Sequence, residues 1–270
     1  HKAYNVNYSA ALTPDMVDAA TFPYPEIPAG NTLERFNRIE TDDLGFFMQA
    51  KYNINKNHHL NLGIRVDDNS VYGTATTLRA GYVGKFNKFI FKALYGEAFQ
   101  EPNPRVLYGG WTGSGSDPDL KPEKSKTLEF SLNYTAGKFS HLLSLYYVKN
   151  SDTILNFTGG ALNLGEREVY GFDYHLKALF NPTFMDQVKL WAYYSYIKAE
   201  GDEIYDAATD TYLKADIGDI ADHKIWFGIT GIVDDHFSGT LKTRYIGARD
   251  TVYTNPIKQV ASYFVLDLNL

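Results

Sequence analysis

The most constraining feature of this chain is an alternation with a period of two that recurs in long runs. In residues 125–135, Leu128, Phe130, Leu132 and Tyr134 alternate with Thr127, Glu129, Ser131 and Asn133. In residues 44–55, Leu44, Phe46, Met48, Ala50, Tyr52 and Ile54 alternate with polar positions that include Gln49, Lys51 and Asn53. In residues 59–67, Leu60, Leu62, Ile64 and Val66 alternate with Asn61, Arg65 and Asp67. Successive side chains of a strand point to opposite faces, so each run has one apolar and one polar face. About twelve such strands are expected: 2–10, 44–55, 59–67, 75–84, the two runs that flank residues 101–124, and then 139–150, 166–179, 187–199, 223–233, 237–248 and 261–270. Most exceed the usual ~5–6 residues of soluble strands.

The connections sort into two classes. Residues 55–58, 84–88, 136–138, 181–186 and 233–236 are short and rich in Asn, Gly, Asp, Pro and Lys. Residues 11–43, 101–124, 151–165, 199–222 and 249–260 are long, and the brief 68–74 connection falls in their series. Strict alternation of short and long links predicts an antiparallel up-and-down meander, as in a transmembrane barrel with short turns at one end and long loops at the other. A Greek-key sandwich does not sort its loops this way. The alternation puts Lys51, Arg65, Asp67, Arg79, Lys92, Glu129, Asp173, His175, Lys177, Lys189, Lys242, Arg244 and Asp267 on the polar side. Lys or Arg facing lipid at the bilayer midplane costs ~2–4 kcal/mol, so these residues are expected on an inner wall. Two runs do not declare their faces. Residues 187–199 are aromatic on both sides (Trp191 and Tyr193 against Tyr194 and Tyr196), and 139–148 are apolar on both.

No run approaches the ~20 apolar residues of a spanning helix, which leaves β-barrels open. The 21 Tyr and 17 Phe against 3 Met favour strands and interfacial aromatic girdles. With no cysteine there is no disulfide framework or thiolate metal site. A net charge of -6 argues against non-specific nucleic-acid binding. The opening residues HKAYNVNYSAAL lack the basic and apolar regions of a signal peptide, so the chain is expected to start inside a longer protein.

The run YGEAFQEPN at residues 95–103, followed by DPDLKPEKSKTLEFSLNY at 117–134, resembles the paired signature of TonB-dependent outer-membrane receptors. Asp117 stands where that family usually has Asn, and Gln100–Glu101 where Arg-Ala is common. The resemblance implies an all-β transmembrane barrel of 22 strands around an N-terminal plug. Residues 1–270 would then be one partial barrel domain without the plug, the early strands and the closing ones. It also implies a multi-pass barrel in the cell outer membrane, in contact with its lipid. Its partners would be TonB with its inner-membrane energy-transducing complex, through a region N-terminal to this chain, and a small-molecule ligand such as an iron chelate. No cofactor and no nucleic-acid partner is expected.

Arg105, Tyr108 and Trp111 on the signature loop, with Phe157, Tyr205 and Tyr212 on other long loops, are the candidate ligand contacts, because aromatic rings and guanidinium groups hold ligands by stacking and charge. Arg65, Arg79, Glu129, Lys242 and Arg244 are the candidate plug-facing wall. Segment 199–222 carries eight Asp and Glu against Lys214, but its spacing matches no EF-hand and reads as a solvated acidic loop. No zinc spacing, nucleophile elbow or phosphate loop occurs, and nothing argues for an enzyme. Two functions stay open: active uptake of a scarce nutrient, and a passive porin-like or hydrophobic-substrate channel with the same strand pattern.

Overall fold

The computed structural model describes residues 2–5, 38–103, 106–107, 119–157, 160–206, 211–234, 236–252 and 255–270. Its strands are β1 (Lys2–Asn5), β2 (Arg38–Thr41), β3 (Asp43–Asn55), β4 (His58–Asn69), β5 (Gly73–Phe86), β6 (Phe89–Gln100), β7 (Glu123–Ala136), β8 (Phe139–Phe157), β9 (Gly160–Phe180), β10 (Gln187–Asp206), β11 (Thr211–Asp216), β12 (His223–Ile232), β13 (Ser238–Ile246), β14 (Arg249–Asp250), β15 (Gln259–Val260) and β16 (Tyr263–Asn269). Twelve of them form one antiparallel sheet: β3 to β10, then β12, β13 and β16 in order, with β11 on the upper part of β10. The strands follow one another along the sheet in chain order, as the meander predicts, with β11 and the β14–β15 pair set aside from the path, and β7 lies between β6 and β8.

The short turns follow from local chemistry. Asn87 (φ 54°) and Gly137 (φ 56°) begin two-residue links between β5 and β6 and between β7 and β8. Hairpins of this length need positive φ, which Gly adopts freely and Asn tolerates. Asn55 Oδ1 accepts from the Asn57 amide at 2.8 Å, and Asp234 Oδ1 accepts from the His236 and Phe237 amides at 2.8 and 2.9 Å.

Three expectations change. Of the expected strand 2–10, the described part, Lys2–Asn5, does not extend the large sheet; β1 pairs with β2 in a sheet of its own. Alternation locates a strand but does not name its partner. Residues 151–165 are not a loop, since β8 and β9 run on as one tall hairpin to Phe157 and Gly160. Residues 199–222 are largely a hairpin of β10 with β11. In both hairpins a register shift, at Asn150–Thr153 and at Asp202–Ile204, switches which side chains share a face and erases the period-two signal.

Register settles the two ambiguous strands. Cross-strand partners share a face, so Trp191, Tyr193 and Ser195 of β10 lie with Lys177, His175 and Asp173 of β9, while Tyr194 and Tyr196 lie on the other face with Tyr174 and Phe172. In β8, Ser144 and Tyr146 join Ser131 and Glu129, while Leu143, Leu145 and Tyr147 join Leu132, Phe130 and Leu128.

Burial is inverted relative to a water-soluble domain. Leu62, Leu78, Leu128, Phe130, Leu132, Leu145, Ile225, Phe227, Leu241 and Leu266 are all exposed on one face. The buried side chains on the other face include Asp67, Thr77, Ser131 and Ser195. Accessible surface is 17716 Å², roughly half as much again as the ~12,000 Å² expected of a globular chain of this mass. Among the described residues the dry cluster is small: Leu107 and Leu120 with Val71, Val106 and Ile154, at the long-loop end.

Candidate functional site

The first element of the site is the polar face. Following the register from β3 to β16 places Lys51, Arg65, Asp67, Arg79, Lys92, Glu129, Asp173, His175, Lys177, Lys189, Lys242, Arg244 and Asp267 on one side of the sheet, with no exception. Phe47, Ile90 and Leu94 share that side, so the division is not complete. Arg65 grips Asp67 through two bonds of 2.6 Å from Nε and Nη2, a bidentate fork that fixes the carboxylate in its buried position. Lys242 stands opposite Asp267, and Arg244 opposite Trp226.

An aromatic patch that sequence reasoning missed lies in the middle of this face. The Tyr193 hydroxyl donates to Asp173 Oδ1 at 3.0 Å. The Tyr193 ring meets His175 edge-on at 4.3 Å and Trp226 at 4.8 Å. Trp191 covers Gly228 and Tyr146 covers Gly171, where a Cβ would collide with the ring. Large aromatics over cross-strand glycines fill the pleat that the glycines leave empty. A glycine opposite a Trp or Tyr was the available signal, but it needs the register to be seen.

On the apolar face, two rows cross the sheet near the long-loop end. Glu97, Lys126, Lys149, Glu168 and Glu200 stand opposite one another on β6 to β10. Lys126 lies 3.7 Å from Glu97, and Lys149 lies 3.3 Å from Glu166 and 3.5 Å from Glu168. Two residues nearer the short turns comes Tyr95, Leu128, Tyr147, Tyr170 and Lys198. A charged row above a Tyr-rich row is the pattern of an apolar–aqueous boundary.

The rim holds the signature loop by its stems. Asn163 of β9 accepts from the Lys121 amide at 2.7 Å and donates to the carbonyls of Lys121 and Asp152 at 2.8 and 2.7 Å. Glu123 accepts the Ile154 amide at 2.6 Å, and Lys124 pairs with Asp152 at 3.0 Å. At the other stem the Asn103 carbonyl accepts from Val106 and Leu107, which carries Leu107 into the cluster with Leu120. Burial, with the negative charges of Glu101 and Asp43 nearby, pushes the Tyr72 phenol up to about 12.

The candidate ligand residues Arg105, Tyr108 and Trp111 lie outside the described residues. Phe157 ends β8. Tyr205 and Tyr212 come together as register partners on β10 and β11. Arg65, Arg79, Glu129, Lys242 and Arg244 share the charged face but are spread across it rather than gathered. Among the described residues, no three His, Asp or Glu converge in a way that could hold a metal ion.

Comparison with known proteins supplies the family. Residues 2–270 match the description "TonB dependent receptor-like, beta-barrel". The chain belongs to the TonB-dependent receptors. It is 32% identical over 106 residues to the vitamin B12 transporter BtuB of Photobacterium profundum, which covers 39% of this chain and 17% of the relative. Its fold is similar to that of the siderophore receptor PirA of Acinetobacter baumannii, at TM-score 0.65 and 14% identity over 86% of this chain and 40% of that one. It is also similar to the ferric enterobactin receptor PfeA of Pseudomonas aeruginosa in complex with enterobactin, at TM-score 0.67 and 13% identity over 86% of this chain and 38% of that one. The chain therefore spans about two-fifths of the solved TonB-dependent receptors and less of the curated relative. At these identities the solved structures establish the fold. The family is one of outer-membrane receptors and transporters, not enzymes.

Proposed function

We propose that this chain forms part of the wall of an outer-membrane receptor that binds a scarce nutrient outside the cell and imports it with energy transmitted by TonB. The observation that carries the reading is the inverted sheet, with exposed Leu, Ile and Phe on one face and ionised groups on the other. The apolar face meets lipid, where Lys or Arg near the midplane would cost ~2–4 kcal/mol. The charged face lines the lumen and faces the plug. Its residues at the predicted positions are mostly basic (Lys51, Arg65, Arg79, Lys92, Lys177, Lys189, Lys242, Arg244) against Asp67, Glu129, Asp173 and Asp267. Partly desolvated cations need partners, so the plug presents carboxylates to this wall. A plug that must move is held by such polar pairs and bridging water rather than by a continuous apolar interface.

The ligand is an iron chelate or a comparable small molecule. The relatives support that class, since they include a vitamin B12 transporter and receptors for siderophore and ferric enterobactin. Recognition falls to the long-loop end, where Arg105, Tyr108, Trp111, Phe157, Tyr205 and Tyr212 lie in the sequence.

The test is growth of cells whose only route for a given ferric siderophore or cobalamin is the full-length receptor, with and without TonB. Active uptake predicts that growth on one compound requires both. Growth that persists without TonB, together with single-channel conductance of the purified protein, would instead identify a passive channel. Charge reversal at Arg244 is expected to impair uptake or raise leak of small solutes while the barrel still assembles.

A further inference from the structure

The ladder between β5 and β6 stops before either strand ends. It runs from Phe86–Phe89 to Arg79–Gly96, yet β5 begins at Gly73 and β6 continues to Gln100. Continued in register, Leu78 would face Glu97 and Thr76 would face Phe99. Instead the Glu97 side chain reaches across, and its Oε2 takes the Leu78 amide at 3.1 Å. Tyr95 donates to Oε1 at 2.5 Å, and Lys126 lies 3.7 Å from the same oxygen. Glu97 thus closes the lower end of a parting in the wall. The upper end is closed by Tyr72, whose ring lies 6.2 Å from Phe99 and whose hydroxyl bonds Glu101.

Between these closures lies a cavity of about 400 Å³, lined by Tyr72, Thr74, Thr76, Thr77, Phe99 and Ser125 with Glu97 and three lysines. The size falls within the range of small-molecule sites. Leu78 turns its amide toward β6, and alternate residues of a strand turn the same way, so main-chain groups of Thr76 and Thr74 also face the gap. Three lysines (Lys121, Lys124, Lys126) face four carboxylates in or beside the lining (Glu97, Glu101, Asp152 on Lys124 and Asp68 on the Thr74 hydroxyl), so the gap holds no excess of positive charge for an anion. The hydroxyls of Thr76, Thr77 and Ser125, main-chain groups along the gap, the Tyr72 and Phe99 rings at its upper end and the lack of excess positive charge match a neutral pyranose, with its polar edges and apolar faces.

We infer that this parting is a binding site for a neutral sugar residue, held between β5 and β6 beneath Tyr72 and Phe99. The site lies at the level of the charged row, just beyond the Tyr-rich row, so its sugar comes either from a free saccharide or from the headgroup of a membrane glycolipid. The inference concerns the wall, not the lumen, and does not depend on what the receptor imports.

The test uses the full-length receptor in detergent and in lipid nanodiscs. Saturation-transfer NMR and calorimetry measure free glucose, galactose and N-acetylglucosamine oligomers, with glucose 6-phosphate as the anionic comparator and a neutral glycolipid in the nanodisc arm. Ala98→Trp fills the cavity from its inner side, and Glu97→Gln keeps an acceptor for Leu78 while removing the charge. Heat-modifiable migration on gels verifies that each variant is folded. The expected result is binding of a neutral sugar, free or lipid-borne, weakened about tenfold or more by Ala98→Trp, whose indole occupies the space of the sugar ring, and less by Glu97→Gln. Free-sugar binding identifies a soluble ligand, and binding in the glycolipid arm alone identifies the membrane source. The inference is overturned if no neutral sugar binds, if folded Ala98→Trp binds as well as wild type, or if glucose 6-phosphate binds more tightly than its neutral parent.

Discussion

A charge placed on adjacent residues of β8 separates the two faces quantitatively. Leu145 lies on the apolar face, 47% exposed, with Phe130 and Phe172 as cross-strand neighbours. Ser144 is half-buried on the charged face beside Ser131 and Asp173. Leu145→Arg loses about half the burial of a leucine, ~1 kcal/mol. It also sets a guanidinium near the middle of the apolar band, at ~2–4 kcal/mol. The sum is about 3–5 kcal/mol, or between two and four orders of magnitude in the folding equilibrium at 1.36 kcal/mol per decade. Ser144→Arg brings the same group next to Asp173, where it changes stability by no more than ~1 kcal/mol. Refolding of the full-length receptor from urea into vesicles, followed by heat-modifiable migration, measures both. Equal losses in the two variants, or a larger loss for Ser144→Arg, would refute the assignment of faces.

Three further outcomes follow from particular contacts. Gly228→Ala sets a Cβ into the Trp191 ring and is expected to cost about 1–3 kcal/mol in thermal or urea unfolding, whereas Gly96→Ala, with open space at its Cβ, is expected to change stability far less. Asn163→Ala removes three bonds that tie the signature-loop stem to the tall hairpin, so amide exchange at residues 119–123 should accelerate while that of the β4–β5 ladder stays unchanged. The folded Tyr72 phenol, at about 12 against an ordinary 10.0, holds its proton where the unfolded chain has lost it. Its contribution is therefore complete below pH 10 and is lost as pH rises toward 12. Tyr72→Phe should flatten the fall in urea midpoint across that window, and an unchanged slope would contradict the burial of the hydroxyl.

Much of the sheet was legible because an apolar face on one side and a charged face on the other impose period two on its strands. From Lys51 to Asp267 the charged positions share one face of the sheet, as the alternation requires. The reading failed where the period is interrupted. The shift at Asn150–Thr153, with Asp152 at φ 57°, hides the continuation of β8 in what read as a loop, and the shift at Asp202–Ile204 does the same for β10. Both faces of 187–199 are aromatic because Trp191 fills the space over Gly228, a partner 37 residues away that alternation cannot name. The parting at Glu97 was invisible for a related reason. GEAFQ reads as an ordinary strand end, and only the interrupted ladder reveals that the carboxylate replaces a main-chain acceptor.

The central claim is that alternate residues of one strand meet lipid and a wet lumen. These 270 residues contain no cysteine, so single cysteines at positions 127–133 of β7 in the full-length receptor can each carry a fluorescent label without background from this segment. Quenching by a lipid-borne quencher and by a water-soluble one is then measured position by position. The account predicts lipid quenching at 128, 130 and 132 and aqueous quenching at 127, 129, 131 and 133. Uniform aqueous quenching along the strand, or the opposite parity, would contradict it.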